Sequence, residues 1–516
     1  MSLFNRLIIN AASIYAARVF EGLLQLAMLA FILSRVGKEY YAAALLILSI
    51  QETIELARGG MQKATVKYIA EFNAKGLYRG ASEVFSSSAV LQGAVGILGF
   101  LVCATVAPHA AGLLAIPSSM QSEASWATIV LGSGMAVTLF LTPWYNAVAA
   151  SERYDLLSAV RVAGKLFRAM LVVVLLLLNA PSLVSLVSAT VVGSIVERLL
   201  CIFAVKRVNR VLKFDFAYIS FEKTKIMFSF AFFDLFHTLS GFLYSQGALY
   251  IAAHFISLSA VAALGIIGNI TSMIEMVMSQ FAQMLVPIVS RLQAEGAHEL
   301  VRRIVTRGTN LTVFAGGVIM AGMIPWMKPF LTVWLGAPYA ILSTASIILM
   351  WAMFLVNSLT CIHNSLAGAG KVAVDGVSNT ICSSLGLIVG TVLAYLFGLG
   401  LIGLVVGLLF ARLSRFVFIS WYGSKLFKIS YGSLMWDGYL RPYLLITGIS
   451  FGAIVLNIHI SSWPSVIAAG GTTAIVFFIV GYFWIVDKEI RDHFIRTLLR
   501  SVIYLGKKIS VKASQI

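Results

Sequence analysis

Apolar runs of roughly 20 residues recur from one end of the chain to the other, separated by short polar links. Each run is long enough to cross about 30 Å of hydrocarbon as a helix. Alternation with a period of two, the mark of a membrane β-barrel, is absent. The pattern predicts fourteen helical spans, near 9–33, 41–57, 84–107, 124–148, 166–180, 183–205, 226–250, 260–286, 309–331, 341–365, 376–397, 400–421, 442–460 and 465–486. The expected fold class is all-α, a polytopic membrane protein.

Composition agrees. Of 516 residues, 59% are hydrophobic and 11% charged, against about 25% charged in soluble domains. The net charge of +17 would fit nucleic acid, but its distribution does not. With the N-terminus inside, the outer loops hold only Arg35, Lys38 and Lys328, and the remaining Lys and Arg gather in or beside the inner links. That asymmetry is the positive-inside rule. It predicts cytoplasmic termini and no nucleic-acid partner. The first span is too long for a signal peptide and has no small-residue cleavage site, so it is expected to stay in the membrane. Cys103, Cys201, Cys361 and Cys382 lack metal or redox spacing and read as small core residues. The stretch Asp487–Ile516 mixes basic and apolar residues and reads either as an amphipathic helix on the anionic inner leaflet or as a solvated tail.

A faint repeat lies beneath the pattern. A shift of 220 residues lays Glu55 on Glu275, Ala74 on Ala294 and Gly76 on Gly296, and EFNAKG on RLQAEG. The shift spans six helices, which preserves orientation and gives a parallel repeat. The expected organisation is an N-lobe over 1–215, a C-lobe over 216–428, and two further spans with a basic tail over 429–516. Several stretches resemble the polysaccharide-transport branch of the multidrug/oligosaccharidyl-lipid/polysaccharide exporter superfamily. LSRVGKEYYAAALLI resembles its entry after the first span, and PIVSRLQAEG its link after the eighth. KPFLTVWLGAPYA resembles its "LWLG" segment, and NSLAGAGKVAVDG its link after the tenth. In the first stretch Val36 and Lys38-Glu39 depart from the family's usual residues. The resemblance implies two six-helix bundles around a central cavity, and a lipid-linked saccharide as cargo.

Candidate chemistry lies in the ionisable residues inside spans, which are costly in hydrocarbon and usually face an interior or a wet path. They concentrate on the first, second, seventh and eighth spans, helices that line the cavity in proteins this chain resembles. Arg18, Glu21 and Gln25 on the first span, with Asp234 and His237 on the seventh, are assigned to cargo binding. Arg18, the only basic residue placed near mid-membrane, would meet a diphosphate through charge-assisted hydrogen bonds. Glu52 and Glu55 on the second span and Glu275 on the eighth are assigned to coupling by H⁺ or Na⁺. Structural readings stand beside these: an Arg18–Glu52 ion pair, a Glu55–Arg58 pair at a helix end, and interfacial places for Glu197, Arg198, Arg412 and Arg415. His363 and Asn364 read as capping or packing residues.

No GxxxxGK[ST] loop and no HExxH pattern occurs, so neither ATP, a metal nor another cofactor is expected. The GxxxG at Gly403 and Gly407 hints at close helix packing. The expected function is a flippase carrying a polyprenyl-diphosphate-linked oligosaccharide, such as an O-antigen or other polysaccharide precursor of the lipopolysaccharide type, by alternating access. Membrane lipid and polysaccharide assembly proteins are the other expected partners. A cation-coupled multidrug antiporter of the same fold is the alternative. A membrane polysaccharide polymerase or ligase fits less well, because the outer loops are short and almost uncharged and offer little for acid–base catalysis.

Overall fold

The computed structural model describes residues 3–58, 60–178, 182–283, 295–456 and 460–486, with 289, 292, 458 and 491 singly. Among the described residues helix is the regular structure and no strand occurs. The helices of fourteen residues or more are α1 (Leu3–Arg58), α2 (Met61–Ala74), α3 (Tyr78–Val106), α4 (Gln121–Ala150), α5 (Tyr154–Leu178), α6 (Leu183–Val208) and α7 (Phe221–Phe242). They continue as α8 (Leu258–Gln283), α9 (His298–Met323), α10 (Ser343–Ser358), α11 (Val372–Thr391), α12 (Gly400–Leu426), α13 (Arg441–Val455) and α14 (Trp463–Trp484).

Eleven described segments are long and apolar enough to cross a membrane. The first of them holds two expected spans, because α1 changes course at Gly37, whose φ of 77° favours a residue without Cβ. Helix α5 falls outside the eleven because Arg161, Lys165 and Arg168 lie along it. Helix α7 runs through a π turn at Leu243–Gly247 into Ala248–Phe255. Dividing α1 and adding these two passages gives the fourteen spans expected.

The shift of 220 residues aligns two turns of like geometry. Gly76 and Gly296 have φ of 71° and 72°. Each closes the same turn, with Leu77 N–H donating to Phe72 O at 2.9 Å and Ala297 N–H to Leu292 O at 2.9 Å. This is the 6→1 bond of a helix stop that needs the left-handed region. Ala294 lies outside the described residues.

Contacts divide the chain into two compact units. The first comprises Met1–Met273 and Gly376–Arg412, and the second Ile274–Asp375 and Leu413–Ile516. In the first unit α3, α4 and α6 pack side by side, with α5 against α6 and α1. The GxxxG of α12 is a close approach there: a Cβ on Gly407 would stand 2.2 Å from the Gly390 Cα. In the second unit α9 packs on α13 and α14. Phe354, Phe416, Tyr439 and Tyr443 form an aromatic cluster, and Trp326 Nε1 donates to Thr473 Oγ1 at 3.2 Å. All four cysteines are buried.

Candidate functional site

The densest charge inside the first unit gathers where α1, α5 and α6 meet. Arg161, Lys165 and Arg168 stand at i, i+4 and i+7 on α5, a spacing that puts them on one helix face. Two glycines let α5 and α6 approach closely. A Cβ on Gly164 would stand 2.7 Å from Glu197 Cβ, and one on Gly193 would stand 2.6 Å from Arg168 Cβ. The basic face is thereby set beside α1 and its carboxylate, Glu21.

Glu21 is 4% exposed. It accepts a hydrogen bond from Arg161 Nε at 3.1 Å and from Lys165 Nζ at 2.9 Å. Arg18 Nη1 adds a third cation at 3.9 Å. Arg198 stands 3.7 Å from Glu197. A buried carboxylate is strongly disfavoured without such partners. The cations are nevertheless in surplus, because Arg168 joins the same face without an ion pair among the described residues. Arg18 Nε and Arg161 Nη2 are buried with no hydrogen-bond partner among the described residues.

A cavity of about 320 Å³ opens on this cluster, within the size range of small-molecule sites. Glu21, Gln25, Lys165, Arg168, Thr190 and Asn269 provide its polar lining. Leu24, Met28, Ile32, Leu45, Leu48 and Val172 provide apolar wall. Gln25 Nε2 donates to Asn269 Oδ1. Asn269 Nδ2 reaches Tyr41 Oη at 3.4 Å and Gly265 O at 2.7 Å, which fixes its amide. The result is a cationic end joined to an apolar one, suited to a molecule with an anionic group on a lipid-like body.

The sequence-predicted residues divide between places. Arg18, Glu21 and Gln25 come together at this cavity or beside it. Glu52 is exposed and Glu55 is half-buried, accepting from Gln51 Nε2 at 3.0 Å. Neither lines this cavity. Glu275 is exposed and belongs to the second unit. The side chains of Asp234 and His237 lie outside the described residues, as does the basic tail from residue 492 onward.

Three readings need correction. Arg18 is not the only intramembrane cation, because α5 begins at Tyr154 and not near 166, carrying Arg161, Lys165 and Arg168 along the helix. Glu197 is not a lone interfacial charge but packs on Gly164, with Arg161 and Lys165 among the charges acting on it. Arg412 and Arg415 do not snorkel, being 8% and 6% exposed. Arg412 lies 3.5 Å over the Tyr244 ring and donates to Asn379 Oδ1 at 3.3 Å. Arg415 Nη2 donates to Asp375 Oδ1 at 2.8 Å. The signal for the α5 face is in the sequence as basic residues four and three apart, but an apolar run counted from 166 leaves Arg161 and Lys165 outside the span.

In the second unit Asp375 also meets His363 Nδ1 at 2.8 Å. This carboxylate is 2% exposed, and its partners come from neighbouring helices. His363 thus ties helices together through Asp375 and does not merely cap one. Among the described residues no three His, Cys, Asp or Glu side chains converge as a metal-binding group.

No family model matches the chain. A protein of Bacillus subtilis (strain 168), the uncharacterized membrane protein EpsK, is 19% identical over 490 residues, covering 94% of this chain and 96% of that one. The lipid II flippase MurJ in an inward closed conformation superposes with a TM-score of 0.67 at 12% identity, over 92% of this chain and 99% of MurJ. An inward-facing multidrug resistance MATE family transporter of the MOP superfamily superposes with a TM-score of 0.67 at 16% identity, over 79% and 94%. This chain has the all-α membrane fold that MurJ and the MATE transporters share.

Proposed function

We propose that this protein is a flippase moving a polyprenyl-diphosphate-linked oligosaccharide across the bacterial cytoplasmic membrane by alternating access. The observation that carries the reading is the surplus of cations over Glu21, with Lys165 and Arg168 lining the cavity and Arg18 and Arg161 beside it, while most of the remaining wall is apolar. A diphosphate between a saccharide and a polyprenyl chain has the matching order of chemistry. Guanidinium and ammonium groups bind phosphate oxygens directly. A drug-cation antiporter would need the opposite balance, carboxylates in excess. The fold shared with a lipid II flippase supports the same choice, and transport relatives favour carriage over catalysis.

In this reading the segments 1–215 and 216–428 act as lobes whose two arrangements open the cavity in turn, with both termini in the cytoplasm. Arg18, Arg161, Lys165 and Arg168 hold the diphosphate, and Gln25 with Asn269 meets the first sugar. Glu52, Glu55 and Glu275 take part in H⁺ or Na⁺ coupling, and Asp234 and His237 complete cargo contacts.

The test uses the full chain in proteoliposomes with a polyprenyl-diphosphate saccharide bearing a fluorophore on the sugar. Dithionite, added outside, bleaches only the outer leaflet. Complete bleaching at a rate set by protein content, and absent for a fluorescent cationic drug, is the expected result. Bleaching that stops at half would overturn the reading, and transport of the drug alone would replace it with the antiporter.

A further inference from the structure

A second cavity, of about 440 Å³, lies in the first unit away from the cationic site, and nothing in the proposed transport cycle uses it. It sits where α3 begins and where α4 and α6 end, so the chain's own connectivity puts it at a membrane–water boundary. Its floor is aromatic. Phe85 and Trp144 meet edge to face at 4.8 Å, and Phe214 packs on Trp144 at 5.6 Å. Its rim carries two basic residues, Lys206 and Arg210, with the neutral amide of Asn209.

The wall formed by the link after α6 is held in place. Ser82 Oγ accepts from Lys213 N–H at 3.2 Å, Ser86 Oγ from Asp215 N–H at 3.2 Å, and Ser87 Oγ from Ser220 N–H at 2.8 Å. Three serines of α3 therefore fix the link's backbone. The charges on it are left open. Lys206, Arg207, Arg210 and Lys213 are exposed and form no ion pair among the described residues. Other basic residues in this unit do pair: Lys75 with Glu71, Arg79 with Glu83, Arg153 with Asp155. The nearby carboxylates are occupied, Asp215 in accepting from Ala217 N–H and Glu222 in pairing with Lys223. Phe216 on the link and Phe221 at the start of α7 are 68% and 83% exposed.

Topological bias accounts for basic residues at this end, and the dipole of α6 accounts for Lys206 and Arg207 in its last turn. Neither accounts for a fixed aromatic-floored cavity, nor for exposed phenylalanines among the charges. We propose that this cavity is a binding site for an anionic glycerophospholipid of the surrounding leaflet. Lys206 and Arg210 take the phosphate, and the Trp144 and Phe214 rings cover the glycerol and the first acyl carbons. Aromatic rings at headgroup depth and basic pockets at helix ends are the chemistry that recognises such lipids.

The test is native mass spectrometry of the full chain released from micelles holding equal phosphatidylglycerol and phosphatidylcholine. Phosphatidylglycerol adducts are expected to exceed phosphatidylcholine adducts about thirtyfold, from about 1 kcal/mol for each of the two basic residues near the headgroup. Lys206→Gln with Arg210→Gln should abolish the preference, whereas Lys75→Gln with Arg79→Gln, the same change in net charge, should leave it. Trp144→Leu should lower retention of both lipids while keeping their ratio. The unmutated chain supplies a check independent of any variant's folding: the preference should shrink as salt is raised. Equal retention of the two lipids, a salt-independent preference, or equal loss in the control pair would overturn the site.

Discussion

Helices α5 and α11 stand 220 residues apart along the chain, and each opens on an aspartate in its first turn, Asp155 and Asp375. Beyond that turn they part. On α5, Arg161, Lys165 and Arg168 run along the face toward Glu21 and its cavity. At the same offsets α11 carries Ile381, Leu385 and Ile388, which are 53%, 47% and 60% exposed. The turns behave oppositely: Gly76 and Gly296 agree in φ within a degree and close the same hydrogen bond. The two aligned turns agree, while the cationic face occurs at one of the two aligned helices. A feature that the fold itself required would recur with the turns. The cationic face does not recur.

The sharpest way to break this comparison is to remove the charges. Lys165→Gln with Arg168→Gln should slow flipping of the labelled polyprenyl-diphosphate saccharide about a hundredfold, since each charge-assisted hydrogen bond contributes about 1.5 kcal/mol or more. Leu385→Gln with Ile388→Gln, at the matching offsets of α11, should leave the rate within about twofold, as exposed positions tolerate change. Equal losses would mean that both faces serve transport, or neither.

The next effect falls on the two buried carboxylates. Asp375→Asn leaves Arg415 buried without its counter-charge and should destabilise the protein by about 3 kcal/mol or more. Thermal inactivation of the detergent-solubilised chain would read it. Glu21→Gln should destabilise less, because Lys165 is 40% exposed and finds water in the cavity. A larger loss for Glu21 would make that cluster the structural one.

Smaller again is the test of the shared turns. Gly76→Ala and Gly296→Ala each force a Cβ into the left-handed region at about 1 kcal/mol. The two penalties should match to within a few tenths of a kcal/mol, as both sites have open space around an added Cβ. Unequal penalties would end the equivalence.

The smallest effect is a pH dependence at the start of α5. Hydrogen bonds from Arg153 hold the Asp155 carboxyl below its ordinary value of 3.8. A depressed carboxyl stabilises the fold above that value and loses its contribution as pH falls through the lower, folded one. Arg153→Gln should therefore flatten the acid limb of a stability profile below about pH 4, and leave the profile unchanged near neutrality.

Much of the architecture was legible because membrane spans announce themselves by length and apolarity, as the runs now forming α3, α4 and α6 did. The repeat was legible at two glycines, since a helix stop in the left-handed region restricts residue choice. The candidate site was legible only in part. Arg18, Glu21 and Gln25 stood out as polar residues inside a long apolar run. Arg161, Lys165 and Arg168 were passed over because charges at the start of a span look like a link until the helix is seen to extend through them. Arg415 and Asp375 lie forty residues apart, and local patterning says nothing about partners brought together by tertiary packing.

Gly37 has a mechanical consequence. Both arms of α1 line the same cavity, Glu21 and Gln25 before the glycine, Tyr41 and Leu45 after it. At 1.5 Å per residue Glu21 sits on a lever about 24 Å from that pivot. A swing of about 10° at the pivot carries the carboxylate about 4 Å by the same geometry, more than its 2.9 Å separation from Lys165 Nζ. The backbone torsions of one residue without a side chain thus set how far the carboxylate stands from its cations, and the width of the cavity becomes a matter of one joint's stiffness.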